Sequence, residues 1–199
     1  MNYIKPFIFI FSAFILSGCL SSVKLKPETN YTLNAVPDVA KKRTHPITLM
    51  VLLPETDAAY NTTQMVYSQN PYQIAYYDKN RWAETPGQML QPLIVQALQN
   101  THYFHAVLTP PIAYGRYQYV LSTQILQLKQ DYSRRPVMAR LTTRAELIRI
   151  ASNQVVATKE FTVSVPMQQY TPYGGVVAAN KATKEFLAEL THFCIKNAR

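Results

Sequence analysis

The chain has 199 residues, with 20 lysines and arginines against 11 aspartates and glutamates and a formal net charge of +9. Hydrophobic residues make up 48% of the chain and charged residues only 16%, which excludes a long disordered tail or a low-complexity filament. Two cysteines exclude a disulfide framework. A chain of this length can bury a core large enough to fold as one domain without a metal.

The first residues have the pattern of a bacterial lipoprotein signal peptide. Lys5 precedes an apolar segment, 7–16, that is interrupted only by Ser12. As a helix this segment covers about 15 Å, roughly half of a hydrocarbon core, so it suits a cleaved signal better than a permanent span. The residues that follow resemble a lipobox: Leu16, Ser17, Gly18 and Cys19. Removal of residues 1–18 and acylation of Cys19 are therefore predicted, in preference to an ordinary secreted protein with a coincidental cysteine.

Acylation determines where the protein resides. Two or more acyl chains hold a protein on its membrane, because each buried CH₂ contributes about 0.8 kcal/mol. Leu20, rather than Asp, follows Cys19, and by resemblance to enterobacterial sorting rules this predicts the periplasmic face of the outer membrane. Residues 19–30 are predicted to be a leash and residues 31–199 a periplasmic domain. Cys194 then lacks an intrachain partner, and we expect it to be buried.

Runs of β-branched and aromatic residues predict four strands in the first part of the chain, at 31–36, 47–53, 64–68 and 72–77. The second run is apolar almost throughout, as is typical of a central strand buried on both faces. For the tyrosines of the last two runs, packing on the sheet with the hydroxyl in water is favoured over stacking on a ligand.

A change of period after Thr85 predicts a helix. Thr85 and Pro86 are an N-cap residue and a proline at the first helical position, and apolar residues recur at spacings of three and four as far as Leu98. Pro92 lies inside this pattern and predicts either a kink or a delayed start of the helix. A further strand is predicted at 104–108.

Three long strands with hairpin spacing are predicted around 117–128, 139–147 and 155–165. The apolar alternation of the first changes phase near Ile125, which predicts a β-bulge. A loop at 166–175 is expected to lead into a final helix, whose apolar stripe ends at Cys194. This order predicts a single α+β domain, a mixed and largely antiparallel sheet with two helices packed on one face.

The sequence lacks the common catalytic and nucleotide-binding motifs. No G-x-S-x-G, H-E-x-x-H, P-loop or G-x-G-x-x-G occurs, and the acidic residues show no paired spacing. His102 and His105 have no Cys, Asp or Glu close by in sequence, so histidines near a helix end are favoured over a metal site. We therefore expect no enzyme, no metal and no cofactor apart from the lipid on Cys19.

Basic residues predominate in the sequence from Lys129 to Arg149, which contains six basic and two acidic residues. A hairpin tip is predicted to carry Arg134 and Arg135, and one strand face is predicted to carry Arg140 and Arg144. One possibility is that these four arginines form a docking surface, for an acidic partner or for lipid headgroups. The other is that they belong to a solvated sheet face, and this second possibility is favoured. The periplasmic compartment excludes nucleic acid as the partner.

The motif Arg81-Trp82-Ala83-Glu84-Thr85-Pro86 resembles the ABC-type transport auxiliary lipoproteins, the family of paraquat-inducible protein C. Further residues follow in the order of the family: Cys19, Tyr31 with Leu33, 47–54, 64–67, 74–77, Phe104 with Val107, and Tyr119 with Leu121.

This resemblance implies an outer-membrane lipoprotein that partners an MCE-domain protein and, through it, an inner-membrane transport complex for phospholipids. It makes Arg81 and Trp82 candidate partner contacts, although a core position is favoured for Trp82. A homo-oligomer is compatible with this interpretation. The alternative is a structural lipoprotein of a secretion or pilus apparatus.

Overall fold

The computed structural model describes residues 27–111 and 117–199. The predicted signal peptide, the lipobox with Cys19 and most of the leash lie outside these residues. Within them the chain forms nine strands and two helices. The strands are β1 (Thr29–Tyr31), β2 (His45–Val51), β3 (Glu55–Thr56), β4 (Gln64–Ser68), β5 (Ala75–Trp82), β6 (Phe104–Leu108), β7 (Tyr119–Asp131), β8 (Met138–Arg149) and β9 (Gln154–Pro166). The helices are α1 (Pro86–Asn100) and α2 (Pro172–Asn197).

Strand β7 organises the sheet. Along one edge it pairs in turn with β2, β3 and β4, all parallel, and along the other it pairs antiparallel with β8. Strand β9 continues antiparallel from β8. Beyond β2 lies the parallel strand β6, and beyond β4 lie the antiparallel β5 and then β1, which is parallel to β5. The antiparallel ladders are the long ones, so the predicted mixed, largely antiparallel sheet is confirmed.

Both helices pack on the same face of this sheet, as predicted, and they contact each other. Helix α1 lies against β2 and β6, and α2 lies against β8 and β9. The core between sheet and helices is apolar and closely packed. Its largest fully buried side chains include Leu49, Ile94, Leu121, Phe161 and Phe186. Cys194 is also fully buried, as predicted, and burial raises the pKa of its thiol.

Two strand predictions can be compared directly with the structure. The bulge near Ile125 is confirmed, because the β7–β8 register shifts between Ile125 and Gln127. The first strand, predicted at 31–36, is wrong in extent, since β1 ends at Tyr31. Beyond it, the side chain of Asn180 on α2 accepts hydrogen bonds from the backbone N–H groups of residues 34 and 35. An α2 side chain therefore satisfies donors that a strand would direct to a neighbouring strand.

Helix α1 begins at Pro86 and continues through Pro92, so a delayed start is wrong. The start is stabilised by Thr85, whose backbone N–H donates to Gln88 Oε1 at 3.1 Å, one half of a capping box. Apolar burial supports the helix on both sides of Pro92, since Leu90 and Ile94 are both almost fully buried.

Helix α2 begins at Pro172, so the second half of the loop predicted at 166–175 is wrong. Thr171 caps this helix, because its Oγ1 accepts from the N–H of Gly174 at 3.0 Å. The glycines favoured a loop in the sequence, but each allows a close approach within the helix. A Cβ on Gly174 would collide with the carbonyl oxygen of Gln169, and one on Gly175 would collide with the side chain of Gln130.

A residue in the left-handed region follows α1. His102 has φ 57°, a conformation that costs an L-residue about 1–2 kcal/mol. Among the residues that the structure describes, the exposed imidazole of His102 forms no hydrogen bond, whereas the backbone carbonyl of His102 accepts from Thr44 Oγ1 at 2.8 Å and is retained in any substitution.

We expect His102→Gly to raise the free energy of unfolding by about 0.5–1 kcal/mol, because relief at this φ exceeds the entropy that glycine adds to the unfolded chain. Urea unfolding measures the change. The matched control is His105→Gly, an exposed position within strand β6, where glycine should lower the free energy of unfolding by a similar amount. A loss of stability in both variants would contradict this account of the helix end.

Candidate docking surfaces

Two of the predicted docking arginines lie on the sheet face opposite the helices. Along β8 the buried residues alternate with Arg140 and Arg144, so both arginines share that face. Across the ladders Arg140 lies opposite Lys129, and Arg144 lies opposite Glu160. We call Lys129, Arg140 and Arg144 the outer basic band.

Carboxylates partly neutralise the outer basic band. Arg144 Nη2 lies 3.4 Å from Glu160 Oε2, and Arg140 Nη2 lies 3.9 Å from Asp131 Oδ2. The first pair is exposed on both sides and contributes little to stability. The Nε of Arg140 is buried and finds no hydrogen-bond acceptor among the described residues. The surface around the band is therefore mixed in charge.

Asp131 ends β7 and is held ionised. Burial alone would raise the pKa of this carboxyl, but hydrogen bonds from the side chain and backbone of Ser133, with the charges of Lys129 and Arg140, outweigh burial and lower the pKa below 3.8. The hydroxyl of Ser68 also donates to Asp131, at 3.4 Å. The carboxylate thus ties the ends of β4 and β7 to the loop that follows β7.

This lowered pKa predicts acid sensitivity with a definite sign. The unfolded chain binds the proton more readily, so Asp131 stabilises the fold above its unfolded pKa, and this contribution is lost as pH falls through the folded pKa. In urea unfolding, Asp131→Asn should be less stable than the parent chain at neutral pH, and the difference should shrink as the pH falls below about 3.8 and through the lowered pKa of the folded state. Ser133→Ala should show the same trend more weakly. A difference that is independent of pH would contradict it.

A cluster of tyrosines, which sequence patterns did not assemble, lies beside Asp131. The ring of Tyr67 is 4.5 Å from that of Tyr77 and 6.3 Å from that of Tyr132, centroid to centroid. The hydroxyls of Tyr77 and Tyr132 are 3.0 Å apart and both lie within hydrogen-bond distance of Gln130 Oε1, so the one proton of each phenol goes either to this oxygen or to the other tyrosine. Burial, and then the hydrogen bond with Tyr132, raise the pKa of Tyr77. For Tyr77 the expected hydration of the hydroxyl is wrong, because protein groups satisfy it.

Gln130 connects this cluster to α2. Its amide Nε2 donates to the carbonyl of Pro172 at 3.1 Å, and its side chain fills the space that Gly175 leaves open. The cluster is therefore a structural joint between β5, β7 and the start of α2, rather than a surface that can bind a ligand.

The loop between β7 and β8 carries Arg134 and Arg135, as predicted. Both are exposed, and the guanidinium of Arg135 lies 4.8 Å above the ring of Tyr170. Among the described residues no carboxylate forms a salt bridge with either arginine. Arg144 lies about 20 Å from the start of β8, because an antiparallel strand rises about 3.4 Å per residue. The structure thus separates the predicted basic residues into a loop pair and the outer basic band.

An apolar groove lies between the end of β9 and the first turns of α2. Its volume is about 340 Å³, and its lining includes Val165, Pro166, Tyr173, Val177 and Lys181. Tyr173 and Val177 are more than half exposed. Lys181 is the one ionisable group in the lining besides the Tyr173 phenol, so the groove offers apolar contact and no acid or base pair.

The described ranges 27–111 and 117–199 bring no three His, Cys, Asp or Glu side chains together as a metal site. Over the same residues no helix is long and apolar enough to cross a membrane. His102 and His105 lie on opposite sides of the junction between α1 and β6, one after the helix and one within the strand.

A family model described as the ABC-type transport auxiliary lipoprotein component matches residues 31–191. The chain belongs to this family. The match confirms the resemblance and extends it, because it continues through β8 and β9 and into α2, beyond the residues on which the sequence motifs rested. Members of this family are auxiliary lipoproteins of transport systems rather than a known class of enzymes.

Solved structures show the same fold. Protein XCC0632 from Xanthomonas campestris, of the DUF330 family, is 21% identical with a TM-score of 0.74, and the match covers 85% of this chain and 96% of that one. A crystal structure of an uncharacterised protein gives 15% identity and a TM-score of 0.67, covering 84% and 99% of the two chains. No curated protein matches the sequence.

The motif that carries the family resemblance has structural roles in this member. Trp82 is 5% exposed and belongs to the core, and its backbone N–H donates to Thr63 at 2.7 Å. Arg81 Nε lies 3.1 Å from Glu28 Oε1, an ion pair with the residue just before β1. Thr85 caps α1. Of the candidate partner contacts in the motif, the structure therefore leaves only Arg81 partly accessible.

Proposed function

We propose that this family member is a non-enzymatic, lipid-anchored subunit that docks an MCE-type lipid transport assembly at the outer membrane. The match of residues 31–191 to the auxiliary lipoprotein family carries the proposal, because an auxiliary component requires a transport partner. The lipobox at Cys19 supplies the anchor. The motif at residues 81–86 supplies the expectation of an MCE partner.

The outer basic band is the surface that we assign to the protein partner. Strand β8 lies between β7 and β9, with ladders along nearly its whole length on both sides, so the band is held on rigid backbone. The side chains of Arg140 and Arg144 are 35% and 45% exposed, so both can be reached from solvent. Acidic side chains of a partner would pair with these groups, because guanidinium donors match carboxylates well and orient an interface.

Capture from native membranes tests this function. The acylated full-length protein is crosslinked in the envelope of its own host, purified by a tag at the C-terminus, and its partners are identified by mass spectrometry. We expect an MCE-domain protein among them. Recovery of a secretion or pilus component in its place would support the alternative assembly, and recovery of neither would overturn the proposal.

Charge reversal tests the surface. Arg144→Glu should lower recovery of the MCE protein by about tenfold, which corresponds to about 1.4 kcal/mol. Lys184→Glu is the matched control, an exposed lysine on α2 on the other side of the sheet, and it should leave recovery unchanged. Equal recovery with both variants would exclude the outer basic band as the docking surface.

A further inference from the structure

Three loops meet at one end of the domain. They comprise residues 69–74 between β4 and β5, residues 132–137 between β7 and β8, and residues 167–171 between β9 and α2. The strand ends that carry them form one row across the sheet, because Ser68 pairs with Asp131, Asp131 with Met138, and Met138 with Pro166. We call this surface the three-loop end.

The three-loop end combines exposed aromatic and apolar side chains with positive charge. Tyr72 is fully exposed, and Ile74 and Tyr170 are 44% and 54% exposed. Arg134 and Arg135 supply the charge, and none of the three loops contains Asp or Glu. Tyrosines with arginines are typical of the boundary between lipid headgroups and acyl chains, where a ring lies partly in each environment.

Tyr72 is displayed by its backbone. Its φ is 65°, in the left-handed region where a bulky residue is uncommon, and its ring has no contact that hides it from solvent. The apolar groove continues this surface, because Tyr173 and Val177 lie in the first turns of α2, directly after loop 167–171. Exposed aromatic and apolar side chains therefore extend from loop 69–74 to α2.

The chain also approaches β1 from the direction of this end. Strand β1 runs parallel to β5, with Thr29 opposite Asn80, and β5 begins at Ala75, directly after loop 69–74. The direction from β1 back toward the N-terminus is thus the direction of the three-loop end. The eight residue-to-residue steps from Cys19 to Pro27 span at most about 28 Å when extended, so the anchor must lie within that distance of Pro27.

We infer that the three-loop end rests on the membrane that holds the lipid of Cys19, with Tyr72 and Tyr170 among the headgroups and Arg134 and Arg135 against anionic phosphates. Only one part of the proposed function, the lipid anchor, is needed for this inference. The charge and aromatic character of the surface, and the direction of β1, are independent of any protein partner. The outer basic band and the turn between β8 and β9 then remain free in the periplasm.

Fluorescence quenching tests this orientation. Full-length acylated protein with Tyr72→Cys or Tyr170→Cys is labelled with a polarity-sensitive fluorophore and reconstituted into vesicles of phosphatidylcholine and phosphatidylglycerol. The buried Cys194 should not react, so the introduced thiol takes the label. Ile150→Cys is the control, since Ile150 is 41% exposed in the turn between β8 and β9, at the other end of those strands.

We expect labels at positions 72 and 170 to shift to the blue and to be quenched by lipids with a nitroxide in the headgroup region, and the label at 150 to show neither effect. The double substitution Arg134→Glu with Arg135→Glu should reduce quenching at position 170 in these vesicles. It should have little effect in pure phosphatidylcholine, because only the anionic lipid attracts the two arginine charges.

The outcomes separate this inference from the proposed function. Quenching at position 150 alone, or at none of the positions in protein that floats with the vesicles, would overturn the orientation while leaving the partner assignment intact. Crosslinks from positions 72 and 170 into a protein of the native envelope, in place of lipid, would overturn it in favour of protein docking. Protein that fails to float would contradict the anchor on which both depend.

Discussion

Replacing Cys19 with alanine should abolish incorporation of fatty acid and leave residues 1–18 attached. The diacylglyceryl group is expected on the Cys19 thiol, and processing before that cysteine requires it. The measurement is metabolic labelling with an alkyne fatty acid, followed by intact mass of the purified protein. We expect a lipid-bearing mature chain that begins at Cys19 in the parent, and an unlabelled, heavier precursor in the variant.

Cys194→Ala is the matched control, because it removes the other cysteine. That thiol is fully buried and surrounded by the apolar stripe of α2, so no lipid can reach it in the folded chain. The variant should incorporate fatty acid as the parent does. A parent chain that carries no lipid would show that the protein is an ordinary secreted one, and label in Cys19→Ala would place the lipid elsewhere.

Phe161→Ala should lower the free energy of unfolding by about 3–5 kcal/mol, the range for a buried phenylalanine. Phe161 is 2% exposed on β9, and its ring packs edge-on against Phe186 at 5.4 Å and Phe193 at 5.9 Å, centroid to centroid. Strand β9 pairs with β8 alone among the described strands, so its attachment depends on these contacts with α2. The free energy of unfolding of a typical domain is about 5–15 kcal/mol in total, so the variant should be close to unfolding.

Urea unfolding of the purified chain measures this loss. Val155→Ala is the control in the same strand, where a side chain that is 51% exposed should cost less than about 1 kcal/mol. A small effect at Phe161, similar to that at Val155, would mean that α2 is not held to the sheet by this aromatic contact.

The fold class could be predicted from the spacing of apolar residues, because each strand or helix that packs on a common core has its apolar residues at the period of its buried face. The bulge in β7 was visible for the same reason, since an extra residue reverses the apolar alternation around Ile125. The parallel pairing of β2, β3 and β4 with one edge of β7 was not visible. Such pairings join segments that are distant in sequence and leave no local pattern.

Glycine and asparagine account for two of the errors. Gly174 and Gly175 favoured a loop, yet they lie in α2 because a loop backbone and Gln130 approach the helix there. The same Thr-Pro pair that marks the start of α1 also occurs at Thr171 and Pro172, and it was the available signal for α2. Asn180 ended β1 early through hydrogen bonds that only the tertiary structure reveals.

The sequence indicated individual arginines as candidate docking residues, but it did not show which of them share a surface. Sequence spacing placed Arg140 and Arg144 correctly on one strand face, since alternation fixes sidedness. It could not show that Glu160 and Asp131 lie against them, nor that Arg134 and Arg135 belong to another surface with Tyr170. Register across the sheet decides both, and the proposed distinction between partner-facing and membrane-facing charge depends on it.

Site-specific photocrosslinking from position 144 in native membranes tests the central claim most directly. A benzophenone amino acid at this position of the acylated protein lies in the outer basic band, and one at position 184 on α2 serves as the control. The account predicts an adduct with an MCE-domain protein from position 144 and none from position 184. No MCE adduct from position 144, in protein shown to be acylated and in the envelope, would contradict it.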